Sequence, residues 1–241
     1  MDVLCARFGV SGMTIRRDLR ALAAAGRVVR THGGATPADR VTFEFGFLER
    51  MRRNQAAKQA IAAVAAGQVR DGQSVLLDSG TTTLALAEQL RGKKGLTVVT
   101  TSLPIASALQ FCQEVQVLLL GGFVRRDAPD LTGALTETNL ESLRADVAFI
   151  GADGIDLRGN VYNASLNVGR MLSKMAAAAD RVFVVADSTK IGKTALTRFG
   201  NLAAWAGLIT DSGLSRSAAT ALKRARVRVL KADGRAKEKR V

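Results

Sequence analysis

Residues 76–90, LLDSGTTTLALAEQL, read as the end of an apolar strand, a short polar turn and a helix. The turn Ser79-Gly80-Thr81-Thr82-Thr83 combines a glycine, expected to let the backbone turn tightly, with hydroxyls at a helix start. A helix start points unpaired N–H groups at whatever lies before it and so attracts anions. The loop holds no lysine or arginine, which excludes a Walker-type nucleotide loop. A Ser/Thr-rich helix start without any ligand is equally compatible with this spacing.

The same strand-then-helix alternation extends in both directions. SVLLD (74–78), LTVVT (96–100), VQVLLL (115–120), DVAFI (146–150), RVFVVAD (181–187), AGLIT (206–210) and VRVL (227–230) are predicted strands. LALAEQL (84–90), PIASALQF (104–111), TETNLESL (136–143), VGRMLSKMAAAA (168–179) and RSAATALKRA (216–225) are predicted helices between them. Short apolar runs alternating with helices predict an α/β fold with a mostly parallel, helix-covered sheet. Ligands of such sheets bind beyond the C-terminal strand ends. Four more polar strand ends lie there: Thr100-Thr101-Ser102, Gly121-Gly122 followed by Arg125 and Arg126, Asp153, and Asp187-Ser188 with Lys190. Lys190 is the residue best suited to neutralise a phosphate. Upstream, residues 43–69 carry an Ala-rich helical pattern with Ile61, Val64 and Ala65 at core spacing.

The chain has 241 residues, 47% hydrophobic and 23% charged, which excludes wholesale disorder. No apolar run approaches the ~18–20 residues of a membrane span, and the first residues lack the marks of a secretory signal. Two cysteines make no disulfide framework, so a cytoplasmic location is expected. A single histidine, His32, argues against a His-based metal site or catalytic pair, and no cofactor is expected. The net charge of +14 is concentrated at the two ends: +5 over residues 1–53, +1 over 54–215 and +8 over 216–241. Basic ends around a near-neutral centre favour a polyanionic partner, although a solvated tail explains the last residues as well.

Residues 4–34, LCARFGVSGMTIRRDLRALAAAGRVVRTHGG, read as a helix, a turn, a second helix capped by Ser11, and a basic two-stranded wing. Ile15, Leu19 and Leu22 form one apolar stripe, while Thr14, Arg16, Arg17 and Arg20 lie largely off it. A Thr/Arg face can be a solvated surface, or it can enter a major groove. Together with the wing residues Arg30 and His32, the arrangement points to double-stranded DNA.

Here the strings VS, TIRRDL and R-x-HGGA resemble the winged helix-turn-helix of the DeoR family of bacterial transcriptional repressors. The resemblance continues through K-x-x-I-A (58–62), LDSGTTT, VVTTS, LLGG, LTG, ADVAFIGADGID and VADSTKIG, from Leu4 to about Asp211. It implies a sheet shared with ribose-5-phosphate isomerase and a phosphorylated-sugar effector coupled to release from an operator. Carried over, Ser79, Gly80, Thr81, Thr82 and Thr83 would hold the phosphate, Thr101 and Asp153 the sugar, and Lys190 the rim. Ser11, Thr14, Arg16, Arg17, Arg20, Arg30 and His32 would contact DNA. Two departures stand out in the helix-turn-helix: Gly12 and Met13 replace acids usual in the family, and the family's first helix is expected upstream of Met1. A third lies in SLNVGRMLSKM (165–175), where the family often has a Glu and a Lys reaching the pocket and this chain has Arg170 and Lys174.

The expected organisation is a truncated winged helix-turn-helix at 1–36, a linker at 37–54, an effector domain at 55–232 and a basic tail at 233–241. The rival readings are an isomerase-like enzyme on the same sheet and a DNA-free sugar-phosphate sensor. An isomerase needs a carboxylate base. This chain has Ile150 where the similar isomerases carry an acid, and no Asp or Glu between Leu157 and Ala179. A regulator is therefore expected, acting as a homo-oligomer because operators usually pair two half-sites. General RNA binding fits poorly with 5% aromatics.

Overall fold

The computed structural model describes residues 2–24, 28–31, 34–37, 46–126 and 128–232. It divides into two compact units, one built mainly on residues 1–49 and one on 50–125 and 129–241.

In the first unit, α1 (Asp2–Phe8) and α2 (Gly12–Ala24) precede a ribbon of β1 (Val28–Thr31) and β2 (Gly34–Pro37). The ribbon is antiparallel, with Val28 opposite Pro37 and Thr31 opposite Gly34. Ser11 caps α2 as expected: its hydroxyl accepts from Thr14 N–H at 3.2 Å. The predicted stripe is narrower than expected. Ile15 is buried and Leu19 half-buried, but Leu22 is 40% exposed. The seven-residue α1 spans about half the length of the thirteen-residue α2 and cannot cover its far end.

Next along the chain come α3 (46–52) and, in the second unit, α4 (Gln55–Ala66). Then follow β3 (Ser74–Leu77), α5 (Thr81–Leu90), β4 (Leu96–Thr100), α6 (Leu103–Leu109) and β5 (Val115–Leu119). A hairpin of β6 (Phe123–Val124) and β7 (Leu131–Thr132) leads through α7 (Ala134–Glu141) to β8 (Ala145–Ile150). The rest comprises β9 (Gly154–Ile155), β10 (Asn160–Asn163), α8 (Leu166–Ala177), β11 (Ala179–Val185), β12 (Thr197–Asn201), β13 (Gly207–Asp211), α9 (Arg216–Arg224) and β14 (Val229–Ala232).

Seven strands form one parallel sheet in the order β14-β13-β11-β8-β3-β4-β5. From β3 the chain winds outward to β4 and β5. It then returns to lay β8 on the other side of β3 and winds the opposite way. The seam between β3 and β8 is therefore the topological switch point, where open α/β sheets hold ligands. Alternate side chains serve two cores: Val75, Leu77, Val147, Phe149, Phe183 and Ile209 pack with α4, α5 and α6, and Leu76, Ala148, Ile150, Val184 and Leu208 pack with α8 and α9. Burial on both faces explains the unbroken apolar runs. The small antiparallel sheet β12-β10-β9 was not predicted from the sequence. Among the described residues no helix is long and apolar enough to cross a membrane.

Candidate functional site

At the switch point, Asp78 directly follows β3 and Gly151 directly follows β8. One Asp78 carboxylate oxygen accepts from Gly151 N–H at 3.0 Å, the other from Ser79 N–H at 2.6 Å. This carboxyl therefore staples the two strand ends together. Burial pushes it above the usual carboxylate range, against the pull of the Gly151 and Ser79 N–H groups. At the opposite end of the same strand pair, Asp146 accepts from Ser74 Oγ at 2.6 Å and Ser74 N–H at 2.7 Å. Those bonds hold Asp146 below its ordinary range.

The 79–83 turn leads directly into α5. Gly80 adopts φ −73° and ψ 161°, an extended conformation open to any residue, so the expected tight glycine turn is absent. Glycine serves by its small size instead: a Cβ here would lie 3.3 Å from Thr83 Oγ1. Thr83 is fully buried, and its hydroxyl faces the carbonyls of Asp78 (2.6 Å) and Gly80 (2.8 Å). Its hydroxyl thus fixes the loop, which leaves only its backbone N–H, in the first turn of α5, for an anion. The Ser79 hydroxyl donates to Asp130, whose other oxygen accepts from Arg125 Nε at 2.6 Å. The hydroxyls of Thr81 and Thr82, both half-buried, have no hydrogen-bond partner among the described residues. No side chain caps α5, so its first-turn N–H groups remain available to an anion.

Thr101 is buried as well. It is fully buried just past β4, with Leu131 N–H on its carbonyl and an unpartnered hydroxyl. The segment around Asp130 and Leu131 bridges to Ser102 beside this strand end. Asp153 is half-buried, and one of its oxygens accepts from Ala164 N–H at 2.9 Å. Arg170 and Lys174 do not reach a pocket; they pair with Glu137 at 2.7 Å and Glu141 at 2.5 Å, tying α8 to α7.

Past β11, Asp187 accepts from Thr189 N–H at 3.0 Å, and half-buried Lys190 has no ion-pair partner among the described residues. Asp211, at the end of β13, accepts from Ser188 N–H at 2.6 Å and Gly213 N–H at 2.9 Å. Burial opposes the charge on Asp211, but these bonds hold its carboxyl below the ordinary range. Near Asp187 and Lys190 lies Lys58, a buried charge whose role the sequence reading did not assign. Its ammonium donates to the carbonyls of Arg50 and, at 2.7 Å, Arg53, and so caps the C-terminal end of α3. Burial pushes Lys58 below the usual lysine range, with Asp187 opposing and Lys190 adding to the shift. Its signal was present in the sequence: Lys58 shares the stripe of Ile61, Ala62 and Ala65, an odd place for a charge.

In the first unit, Arg16, Arg17 and Arg20 are all exposed, within an arc of roughly 100° turned away from Ile15. Arg17 lies 3.6 Å from Asp18, an exposed pair of small consequence. Thr14 is half-buried, its hydroxyl 3.0 Å from that of Ser11. Arg30 is exposed on β1, and His32 lies outside the described residues.

Two domain families cover these units: the DeoR-like helix-turn-helix domain matches residues 1–41, and the DeoR C terminal sensor domain matches residues 53–212. The chain belongs to the DeoR family. It is 38% identical to an uncharacterized HTH-type transcriptional regulator, YgbI, of Escherichia coli K12, over 90% of this chain and 84% of that one. It is 32% identical to the HTH-type transcriptional regulator GlpR of Haloferax volcanii, over 95% and 90%. It is 33% identical to the lactose phosphotransferase system repressor of Lactococcus lactis, over 86% and 82%. Among solved structures, ribose 5 phosphate isomerase A from Neisseria gonorrhoeae matches at 21% identity and a TM-score of 0.42, over 59% of this chain and about half, 54%, of that one. As a DeoR-family member the protein is a DNA-binding transcriptional regulator, not a catalyst.

The DeoR-family α2 makes a direct prediction. Arg16→Ala and Arg17→Ala should each weaken operator binding. A base-reading arginine costs ~1–3 kcal/mol and relaxes specificity at one position, whereas a phosphate contact weakens all sequences and lowers the salt slope by about one. A gel-shift titration in which neither arginine matters would remove α2 from the DNA interface.

Proposed function

We propose that this regulator is a cytoplasmic repressor of carbohydrate-metabolism genes, released from its operator by a phosphorylated sugar held at the β3/β8 switch point. The observation that carries the reading is the uncapped N-terminus of α5, with the Thr81 and Thr82 hydroxyls unpartnered beside it. An anion there meets N–H donors and the positive end of the helix dipole. Ser79, Asp78 and Thr83 fix the loop that presents those donors. Asp153 and Lys190, on neighbouring strand ends, supply polar groups for the rest of the ligand. A relative named for a lactose phosphotransferase system supports a sugar-linked signal. The effector must bind the DNA-free conformer more tightly, since equal affinity for both shifts nothing. The two half-sites of an operator call for at least two copies of the chain.

The test uses the full chain and DNA selected from a random pool by that chain. A panel of sugar phosphates is added while DNA binding is followed by fluorescence anisotropy. At least one should release the DNA, and the matching sugars without phosphate should not. Release by the unphosphorylated sugars alone, or heats of binding for none of the panel, would refute the reading.

A further inference from the structure

The two edges of the seven-stranded sheet are built differently. On the β14 edge, residues 212–232 carry six basic side chains and no acid, with Lys231 on the strand itself and Arg226 and Arg228 beside it. Charges of this kind keep an exposed strand edge from pairing with another chain. The β5 edge has no such protection. Its strand, VQVLL, contains no charge and no proline, and residues 95–124 hold one charged side chain, Glu114, in a chain that is 23% charged. Leu118 and Leu119 are 42% and 38% exposed although neighbouring strand residues face opposite sides, so the end of β5 is uncovered on both faces.

The surroundings extend this apolar surface. Phe123 is 82% exposed and lies against Gly133, and exposed Leu135 lies against Gly121. Phe111, 87% exposed, precedes the strand. With exposed Val124, these apolar side chains all lie within residues 111–135, on or beside β5 in the chain, and clustered apolar exposure of this kind marks interaction surfaces.

We propose that β5 is the seam of a twofold dimer, in which a second copy of this chain pairs antiparallel with it and continues the sheet. Charge selects that occupant. The patch offers nothing to a polyanion or to a charged protein surface, and it places no like charges opposite each other when paired with itself. A twofold axis at Val117 sets Val115 opposite Leu119 of the second copy. It also brings Phe111, six residues before the centre, toward Phe123, six residues after it. Depletion of charge with exposed aromatics is the composition of an interface core.

Sedimentation velocity of the full chain, without DNA or sugar, tests this independently of the effector reading. The wild type should dimerise at micromolar concentration. Leu118→Lys should weaken dimerisation roughly a hundredfold or more, because it sets two like charges across the axis. Phe123→Ser removes a side chain outside the buried core and should weaken dimerisation by about tenfold or more with folding intact. Leu196→Lys, at another exposed leucine away from the patch, should leave assembly unchanged. A monomeric wild type, or an unchanged assembly in either folded patch variant, overturns the proposal.

Discussion

Thr81→Asp is expected to abolish effector binding while leaving the protein folded and bound to its operator. Thr81 opens α5 in the uncapped turn, so the new carboxylate would stand where an anion is drawn. Two unit charges 4 Å apart repel by about 4 kcal/mol at an effective dielectric of about 20, close to a thousandfold in affinity. The same substitution suits the helix, since an acid in the first turn complements the dipole. Loss of binding with an unchanged or raised melting temperature would thus separate recognition from folding. Calorimetry with the releasing sugar phosphate makes the measurement, and undiminished affinity would move the anion site away from this loop.

Asp78→Ala is expected to produce the largest loss of stability. The substitution strands two N–H groups, Ser79 and Gly151, at the centre of the sheet. At ~1–3 kcal/mol for each unsatisfied donor, the loss is about 2–6 kcal/mol, a large part of the ~5–15 kcal/mol that holds a domain together. Asp78→Asn keeps one acceptor and should lose less. The sign with pH differs between the two staples. Asp78 is raised above its unfolded value, so its contribution is full below that value and declines as pH rises through the folded one. Asp146 is lowered, so its contribution is present above the unfolded value and disappears as pH falls through the folded one. Urea titration of the wild type and both Asp78 variants across this range checks order and sign together. Equal midpoints for Asp78→Ala and wild type would remove the staple from the account.

Local sequence carried the large sheet because its strands are buried on both faces and therefore read as continuous apolar runs. It did not carry the β12-β10-β9 sheet. Asn160, Tyr162 and Asn163 interrupt any alternation there, and the pairing shifts register between Val161 and Tyr162. What holds that corner is Asp156, which accepts from Asn160 N–H, Asn160 Nδ2 and Tyr162 Oη at 2.8–3.0 Å. The strand-end loops were legible as polar, but the jobs of their residues were not. Thr81, Thr82 and Thr83 are identical letters, yet Thr83 is turned inward by carbonyls that only the folded loop supplies. Asp78 meets its partner 73 residues away, and Asp146 meets Ser74 at a distance of 72. No window of a few residues encodes such a pair.

The seam between β3 and β8 also bears on how the effector can be found. Neighbouring strands elsewhere in the sheet are tied by a nearby crossover, but these two lie about seventy residues apart along the chain. Two independently wound halves thus meet along one ladder clasped at both ends by a carboxylate. A small molecule that touches both the 79–83 turn and the Gly151–Asp153 loop acts as a third clasp between the halves. Its binding energy adds to the cohesion of the whole domain as RT ln(1 + [L]/Kd), about 2.7 kcal/mol at a hundredfold excess over Kd. The cleft is consequently its own reporter, and the compound that most raises the melting temperature names the signal without knowledge of the operator.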